Sequence, residues 1–350
     1  MAIQKINIET FAQMSKTHLV LDVRSPSEYT HAHIPSAVSF PLFSDEERKI
    51  VGTAYKQQSR EIAIKIGLDY FGPKMRTMVE EAERLTNVSE NEPHSSKKIL
   101  VHCWRGGMRS GGVAWLLDLY GFQVYMLEGG YKIYRNWIIQ QFEKTYHFKI
   151  VGGYTGSGKT LLIHQLAKKE KSILDLEEIA NHKGSALGAI GLSPQPSQEM
   201  FENLLGEALA NISDSDKPIF LEDESQRIGN LQIPLSLWQK MQASKVYFVD
   251  IPFEERLDYL TQEYGIHPQQ ELVSAILRIQ KRLGGLETKN AINFLIENNH
   301  KESFRILLKY YDKWYEKGLY KRENAQEIIT IIKAEKVDTE QNVQLLMKNS

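Results

Sequence analysis

The 350-residue chain reads as an α/β protein of two successive domains, each built on a mainly parallel sheet, with a helical C-terminal part. Three observations lead there. Short apolar runs alternate with helical segments along most of the chain, which is the pattern of repeated β-α units. Two glycine-rich turns, at Cys103-Trp104-Arg105-Gly106-Gly107 and at Gly153-Tyr154-Thr155-Gly156-Ser157-Gly158, each lie between an apolar run and a helical segment. The length, finally, exceeds what a single hydrophobic core usually serves.

Composition narrows the function classes. Forty-three Lys and Arg against 44 Asp and Glu give a net charge of −1, which excludes a generally basic nucleic-acid coat but leaves room for a local basic groove. The single cysteine, Cys103, cannot form an intrachain disulfide, as suits a reducing cytoplasm. Met1-Ala2-Ile3-Gln4-Lys5-Ile6 is too polar for a signal peptide, and no apolar run approaches the roughly 20 residues that span a bilayer. The expectation is a soluble cytoplasmic protein with no membrane partner.

In the first domain, taken as residues 1–130, Leu19-Val20-Leu21-Asp22-Val23 reads as a buried strand that leads into a turn and helix start at 24–29. Further strands are expected at 37–40, 98–102 and 123–127, with a helical insertion at about 44–88 and a polar exposed loop at 87–97. Ile99-Leu100-Val101 runs straight into Cys103, and the segment from Arg109 to Tyr120 reads as a helix. Loop amides, a helix N-terminus, Arg105 and Arg109 would together favour a thiolate and cradle an anion beside it. A buried structural cysteine is the alternative.

Residues 131–146 are expected to form an amphipathic connecting helix, with Ile133, Trp137, Ile138 and Phe142 at helical spacing. The second domain, 147–335, opens with a strand at 147–151, followed by G-x-x-x-x-G-K-T from Gly153 to Thr160 and a helix. In such a loop Gly153, Thr155, Gly156, Ser157 and Gly158 turn backbone N–H groups onto a phosphate or diphosphate. Lys159 neutralises it and Thr160 can ligate Mg²⁺. Strands are expected at 173–176, 217–221 and 244–250. The second of these ends in Glu222-Asp223-Glu224-Ser225, where Glu222 and Asp223 are candidate Mg²⁺ ligands; a solvated acidic turn is the equal alternative. From Phe253 the chain is mostly helical, and 336–350 reads as a polar tail.

Asp22-Val23-Arg24, Glu28-Tyr29 and His31-Ala32-His33-Ile34-Pro35-Ser36-Ala37, with the cysteine loop, resemble the rhodanese family, Ala32 standing where that family usually has glycine. The loop also fits His-Cys-x5-Arg, the pattern of cysteine phosphatases. A rhodanese-type sulfurtransferase or a cysteine phosphatase, coupled to an ATP-binding P-loop domain, is therefore an alternative function.

The order of segments is more specific. Cys103 to Ser110, Leu127-Glu128-Gly129-Gly130-Tyr131, the loop at Gly153, Ala180-Asn181-His182-Lys183-Gly184-Ser185, Gln195-Pro196-Ser197-Gln198, Glu224-Ser225-Gln226-Arg227-Ile228-Gly229 and Arg282-Leu283-Gly284-Gly285 resemble the tRNA 2-selenouridine synthase family across nearly the whole chain. Lys183 and Asp223 are small departures. The resemblance implies a transferase converting wobble 2-thiouridine of tRNA to 2-selenouridine through an S-geranyl intermediate. Geranyl diphosphate and selenophosphate would be co-substrates and selenophosphate synthetase an expected partner. It implies roles for Cys103, Arg105 and Arg109 in selenium transfer and for Lys159 and Thr160 at the diphosphate. Candidates for tRNA contact are Trp104, Lys183, Arg227, Arg278, Lys281 and Arg282, against the alternatives of loop packing and a solvated basic face.

Overall fold

The computed structural model describes residues 3–86, 97–212 and 217–350; most of the loop expected at 87–97 lies outside them. The described chain separates into two compact units, Met1–Gln140 and Gln141–Ser350.

The first unit runs β1 (Gln4–Ile6), α1 (Ile8–Met14), β2 (Leu19–Asp22), α2 (Pro26–His31), β3 (Ala37–Ser39), α3 (Asp45–Gln57), α4 (Arg60–Phe71), α5 (Met75–Thr86), β4 (Lys98–His102), α6 (Met108–Tyr120), β5 (Gln123–Leu127) and the start of α7 (Gly130–Glu143). Its sheet is five-stranded among the described residues, in the order β1-β5-β4-β2-β3, and every pairing is parallel. A parallel strand covered on both faces must be apolar throughout. Val20, Leu21, Ile99, Leu100 and Val101 meet that demand and are wholly buried. Each contributes about 1.5–3 kcal/mol by leaving water.

The apolar face of α7 differs in part from the expected one. Its buried apolar positions are Tyr131, Tyr134, Ile138 and Phe142, whereas Ile133 is exposed and Trp137 half-buried, so Ile138 and Phe142 of the expected stripe face inward and the two tyrosines take the place of Ile133 and Trp137. The long tyrosines fill the core of the first unit, where size outweighs aliphatic character.

The second unit runs β6 (Phe148–Gly152), α8 (Lys159–Lys168), β7 (Ser172–Leu174), α9 (Leu176–Ala180), α10 (Gln198–Asn211), β8 (Ile219–Glu222), a small hairpin β9 (Arg227–Ile228) and β10 (Leu231–Gln232), α11 (Leu235–Gln242), β11 (Lys245–Asp250), α12 (Phe253–Tyr264), α13 (Gln269–Leu283), α14 (Gly285–Ile296), α15 (His300–Leu319), α16 (Ala325–Ile328), β12 (Ile329–Lys333) and α17 (Thr339–Asn349). Its main sheet is again parallel, in the order β12-β11-β6-β8-β7. The helices α12 to α15 pack into a separate apolar cluster around Leu257, Leu272, Ile276, Leu295, Phe304 and Leu308.

Two features correct the reading of the C-terminus. The helical part is followed by β12, which returns to the sheet edge beside β11. Residues 336–350 are no free tail: α17 puts Val343 and Leu346 fully into the core beside α8. Two apolar residues three apart are enough to anchor a short polar helix.

Candidate active sites

In each unit the candidate site lies at the C-terminal ends of the parallel strands, where open α/β sheets gather ligands.

At the end of β4 the chain passes from buried His102 to Cys103 and turns over Gly106, whose φ of +61° suits glycine, into α6. The carbonyls of Cys103 and Trp104 accept hydrogen bonds from Tyr131 N (2.8 Å) and Lys132 N (3.0 Å) of α7. Cys103 is buried, and its Sγ lies 3.3 Å from Ser110 Oγ, which also donates to Gly107 O at 3.1 Å. Burial pushes the thiol up, but the Ser110 hydroxyl and amide, the Arg109 charge and the Arg105 amide outweigh it and hold the thiol below its ordinary range.

Arg105 is exposed, free to meet an anion from solvent. Arg109 is committed to a forked ion pair with Glu28, at 2.6 and 3.3 Å, and Arg48 approaches the same carboxylate at 3.7 Å. The arginine of the His-Cys-x5-Arg pattern is thus held by an internal carboxylate, an arrangement unlike a phosphate clamp. Trp104 packs over Tyr131 with centroids 5.6 Å apart and is 38% exposed, so its outer face is open.

Beneath the loop lies a buried charged layer. Arg24 grips Asp22 through Nε (2.9 Å to each oxygen), donates to Ala32 O (2.7 Å), and lies 3.9 Å over the Tyr131 ring. His102 sits with Nε2 3.8 Å from Asp22 Oδ2, and burial drives its pKa down to about 4 against the pull of Asp22. In the unfolded chain it titrates near 6.5, so the unfolded state takes up a proton that the folded state refuses as pH falls from 6.5 to 4. Asp22, held below its ordinary value by His102 and Arg24 despite burial, stays ionised through that window. The first unit should therefore lose about 2 kcal/mol between pH 7 and 5. Protection factors of the Leu100 and Val101 amides should fall about 30-fold, a fall that His102→Gln should abolish.

In the second unit β6 ends at Gly152 and the loop 153–158 wraps to the start of α8, with Gly156 and Gly158 at φ +82° and +73°. Lys159 Nζ donates to Gly153 O at 3.0 Å and lies 5.3 Å over the Tyr315 ring. Ser157 Oγ is buried with no partner among the described residues. Thr155 is held by Arg256, which donates to its carbonyl at 3.0 Å and pairs with Asp312 at 2.8 Å. Tyr315 reaches from α15 to accept from Gly153 N (3.2 Å) and donate to Asp223 Oδ2 (2.8 Å).

A wall of carboxylates faces this loop. Thr160 Oγ1 donates to Glu177 Oε2 at 2.7 Å. Glu222 is fully buried; one oxygen takes Leu176 N at 3.4 Å and Oε1 has no partner among the described residues. Burial first, then the charges of Asp175 and Glu177, push the Glu222 carboxyl well up. Glu224 is raised by burial and by Glu177, against which it lies. The Thr160 hydroxyl, the Glu177 carboxylate bonded to it and the unpaired buried oxygen of Glu222 are the hard oxygen donors that Mg²⁺ takes. Asp223 differs from expectation: Tyr315 and Arg322 occupy its two oxygens, so it fastens α15 and the segment after it to the end of β8, and Glu177 takes the place beside Thr160.

Glu177, Tyr315, Arg256 and Asp312 escaped the sequence reading. Glu177 follows an expected strand end, which was a usable signal; the other three are distant in sequence and carried none. Of the tRNA candidates, Lys183 pairs with Glu263 (2.6 Å) and Arg278 donates to Ala186 O (2.9 Å). Arg227 folds back on Gly229 O (3.0 Å). Lys281 and Lys289 line a groove of about 670 Å³ between α13 and α14, with Arg282 exposed nearby.

Comparison with known proteins adds lineage to this geometry. Residues 8–136 match the model of the rhodanese-like domain, and 146–344 match that of the tRNA 2-selenouridine synthase AAA domain. The chain belongs to the tRNA 2-selenouridine synthase family. It is 33% identical over 338 residues to the tRNA 2-selenouridine synthase of Hydrogenovibrio crunogenus, covering 87% of this chain and 90% of that one. To that of Shewanella halifaxensis it is 32% identical over 357 residues, 92% and 94% of the two chains. To that of Nitrosomonas europaea it is 36% identical over 253 residues, 70% of this chain and 63% of the other. The matches to the Hydrogenovibrio and Shewanella proteins run across both units. Among the described residues no helix is long and apolar enough to cross a membrane.

Proposed function

We propose that the chain converts 2-thiouridine at the tRNA wobble position to 2-selenouridine in two steps, as a cytoplasmic transferase. The observation carrying this is that one chain of this family holds two anion cradles of different chemistry, one around a thiol and one around a lysine.

In the first step the 2-thio sulfur attacks C1 of geranyl diphosphate; the C–O bond breaks, diphosphate leaves, and the base loses its N3 proton. The amides of Gly153, Thr155, Gly156, Ser157 and Gly158 would hold the diphosphate, with Lys159 stabilising the charge that develops on it. Thr160, Glu177 and Glu222 would hold Mg²⁺, which supplies further neutralisation of a diphosphate. In the second step the selenium of selenophosphate attacks C2, the C–S bond breaks and the geranyl thiolate departs as the protonated thiol; water then cleaves the Se–P bond of the adduct, releasing phosphate and leaving 2-selenouridine. Cys103 and Arg105 would bind and steer the selenium donor, while Arg109, anchored on Glu28, fixes the start of α6. Selenophosphate synthetase, which supplies the donor, is the expected partner.

Mass spectrometry of nucleosides tests this after mixing the purified chain with 2-thiouridine tRNA, geranyl diphosphate and selenophosphate. The expected products are S-geranyl-2-thiouridine without the selenium donor and 2-selenouridine with it. Cys103→Ala should accumulate the S-geranyl nucleoside and make no 2-selenouridine. Loss of both products in a folded Cys103→Ala chain contradicts the division of labour.

A further inference from the structure

The helix that closes the phosphate loop carries a second, outward face. On its inner side, Asp312 and Tyr315 bind Arg256, Asp223 and the amide of Gly153. On its outer side Tyr310, Lys313, Trp314 and Lys317 recur at i, i+3, i+4 and i+7, which puts them on one stripe of α15. Trp314 is 49% exposed, a large area of indole to leave in water. Tyr310 stands beside it with centroids 6.4 Å apart, and Lys317 Nζ lies 5.3 Å over its ring. Tyr320 and Lys321, just past the helix end, are exposed as well, and the acidic neighbour is Glu316 at the edge of the stripe. Neither Lys313 nor Lys317 is in an ion pair with a carboxylate of the described residues.

We propose that this outer face of α15 docks the single-stranded anticodon loop of the substrate RNA, Trp314 stacking on an unpaired base while Lys313 and Lys317 meet backbone phosphates. An aromatic ring flanked by lysines matches what single-stranded nucleic acid offers, a π-face on every base and a charge on every linkage. A protein partner would call for an apolar centre with few charges, which this stripe lacks. The stripe lies on the side of α15 away from Tyr315, which bonds the phosphate loop, so the RNA would be gripped on the back of the helix whose front closes that loop. The inference rests on the reading of tRNA as substrate.

Binding of a 2-thiouridine anticodon stem–loop RNA, measured by fluorescence anisotropy across a salt series, tests it. Trp314→Ala should weaken binding about tenfold with the salt slope unchanged, and Trp314→Phe should restore most of the affinity. Lys313→Ala with Lys317→Ala should lower the slope by about 0.7 for each lysine. Thermal melts matching the wild type separate these losses from misfolding. Wild-type binding with unaltered variants overturns the inference alone, whereas failure of the wild-type chain to bind the RNA overturns the substrate reading with it. A wild-type dimer that Trp314→Ala dissociates without loss of RNA affinity would make this a self-association face and also overturn it.

Discussion

Lys159→Ala is expected to lower the rate of the proposed S-geranylation by about 10²–10³-fold, the usual consequence of removing one preorganised donor from a developing anion. In the structure the ammonium is parked on Gly153 O at 3.0 Å and lies over the Tyr315 ring, so it already sits at the rim of the loop. A bound diphosphate needs only to exchange one oxygen acceptor for another. In the proposed alkylation the negative charge on that diphosphate would grow as the C–O bond breaks, so the lysine would contribute more in the transition state than in the ground state. The loss should therefore appear mainly in kcat, with a smaller change in the KM for geranyl diphosphate. Lys159→Arg should recover little, because the wider guanidinium cannot occupy the same point beside Gly153. Selenation of tRNA already carrying the S-geranyl group, assayed with the same variants, separates the two steps. An equal loss in that reaction would mean that Lys159 serves the whole enzyme rather than the alkylation.

The sequence announced most of the frame. Ile99-Leu100-Val101 and Phe148-Lys149-Ile150-Val151 are apolar runs of strand length followed by glycine-rich turns, and both became strands feeding a candidate site. β1 was missed because Gln4-Lys5-Ile6 is a three-residue edge strand with little to bury. β12 was missed for another reason. Ile329-Thr330-Ile331-Ile332 is a good β-branched run, but it follows a long helical stretch, and the pull of that context hid a signal that was present. The site was legible only where its residues are contiguous. Cys103, Lys159 and Thr160 lie in loops whose chemistry is written in consecutive letters. Asp223 was read with its neighbour Glu222, although its partners Tyr315 and Arg322 come from far along the chain. One position along a strand end turns one carboxylate into the core beside Asp175 and the next toward α15. A pattern of acidic letters alone does not say which is which.

Gly130→Ala should collapse the cysteine loop and destabilise the first unit by roughly 3 kcal/mol, combining about 1–3 kcal/mol of overpacking with about 1–2 kcal/mol of left-handed strain. Gly130 has φ +62°, and a Cβ there would stand 2.4 Å from both Cys103 O and Gly106 N and 2.8 Å from Arg105 N. Those are backbone atoms of the loop itself, so no side chain can swing aside to make room. The loop answers in kind, since a Cβ on Gly106 would meet Leu127 O at 2.6 Å and Gly129 N at 3.1 Å. Two glycine turns are therefore pressed face to face, and this contact aims the loop amides around Cys103. Two companion substitutions calibrate the claim. Gly129→Ala shares the left-handed backbone, φ +73°, but its methyl meets the Ile133 side chain, an exposed group that can move; its cost should be intermediate. Gly107→Ala has nothing within 4 Å of the new methyl, so only the uncommon backbone setting, φ −104° and ψ −139°, opposes it and the cost should be the smallest of the three, about 1 kcal/mol. Denaturant unfolding, with exchange protection in β4 and β5 as the local readout, should rank Gly130 above Gly129 above Gly107. Gly130→Ala should also lose 2-selenouridine formation while S-geranylation persists, because its collision lies wholly within the first unit. Equal stability of the Gly130 and Gly107 variants would show that the interlocked turns yield easily, and the cysteine loop would then need another source of rigidity.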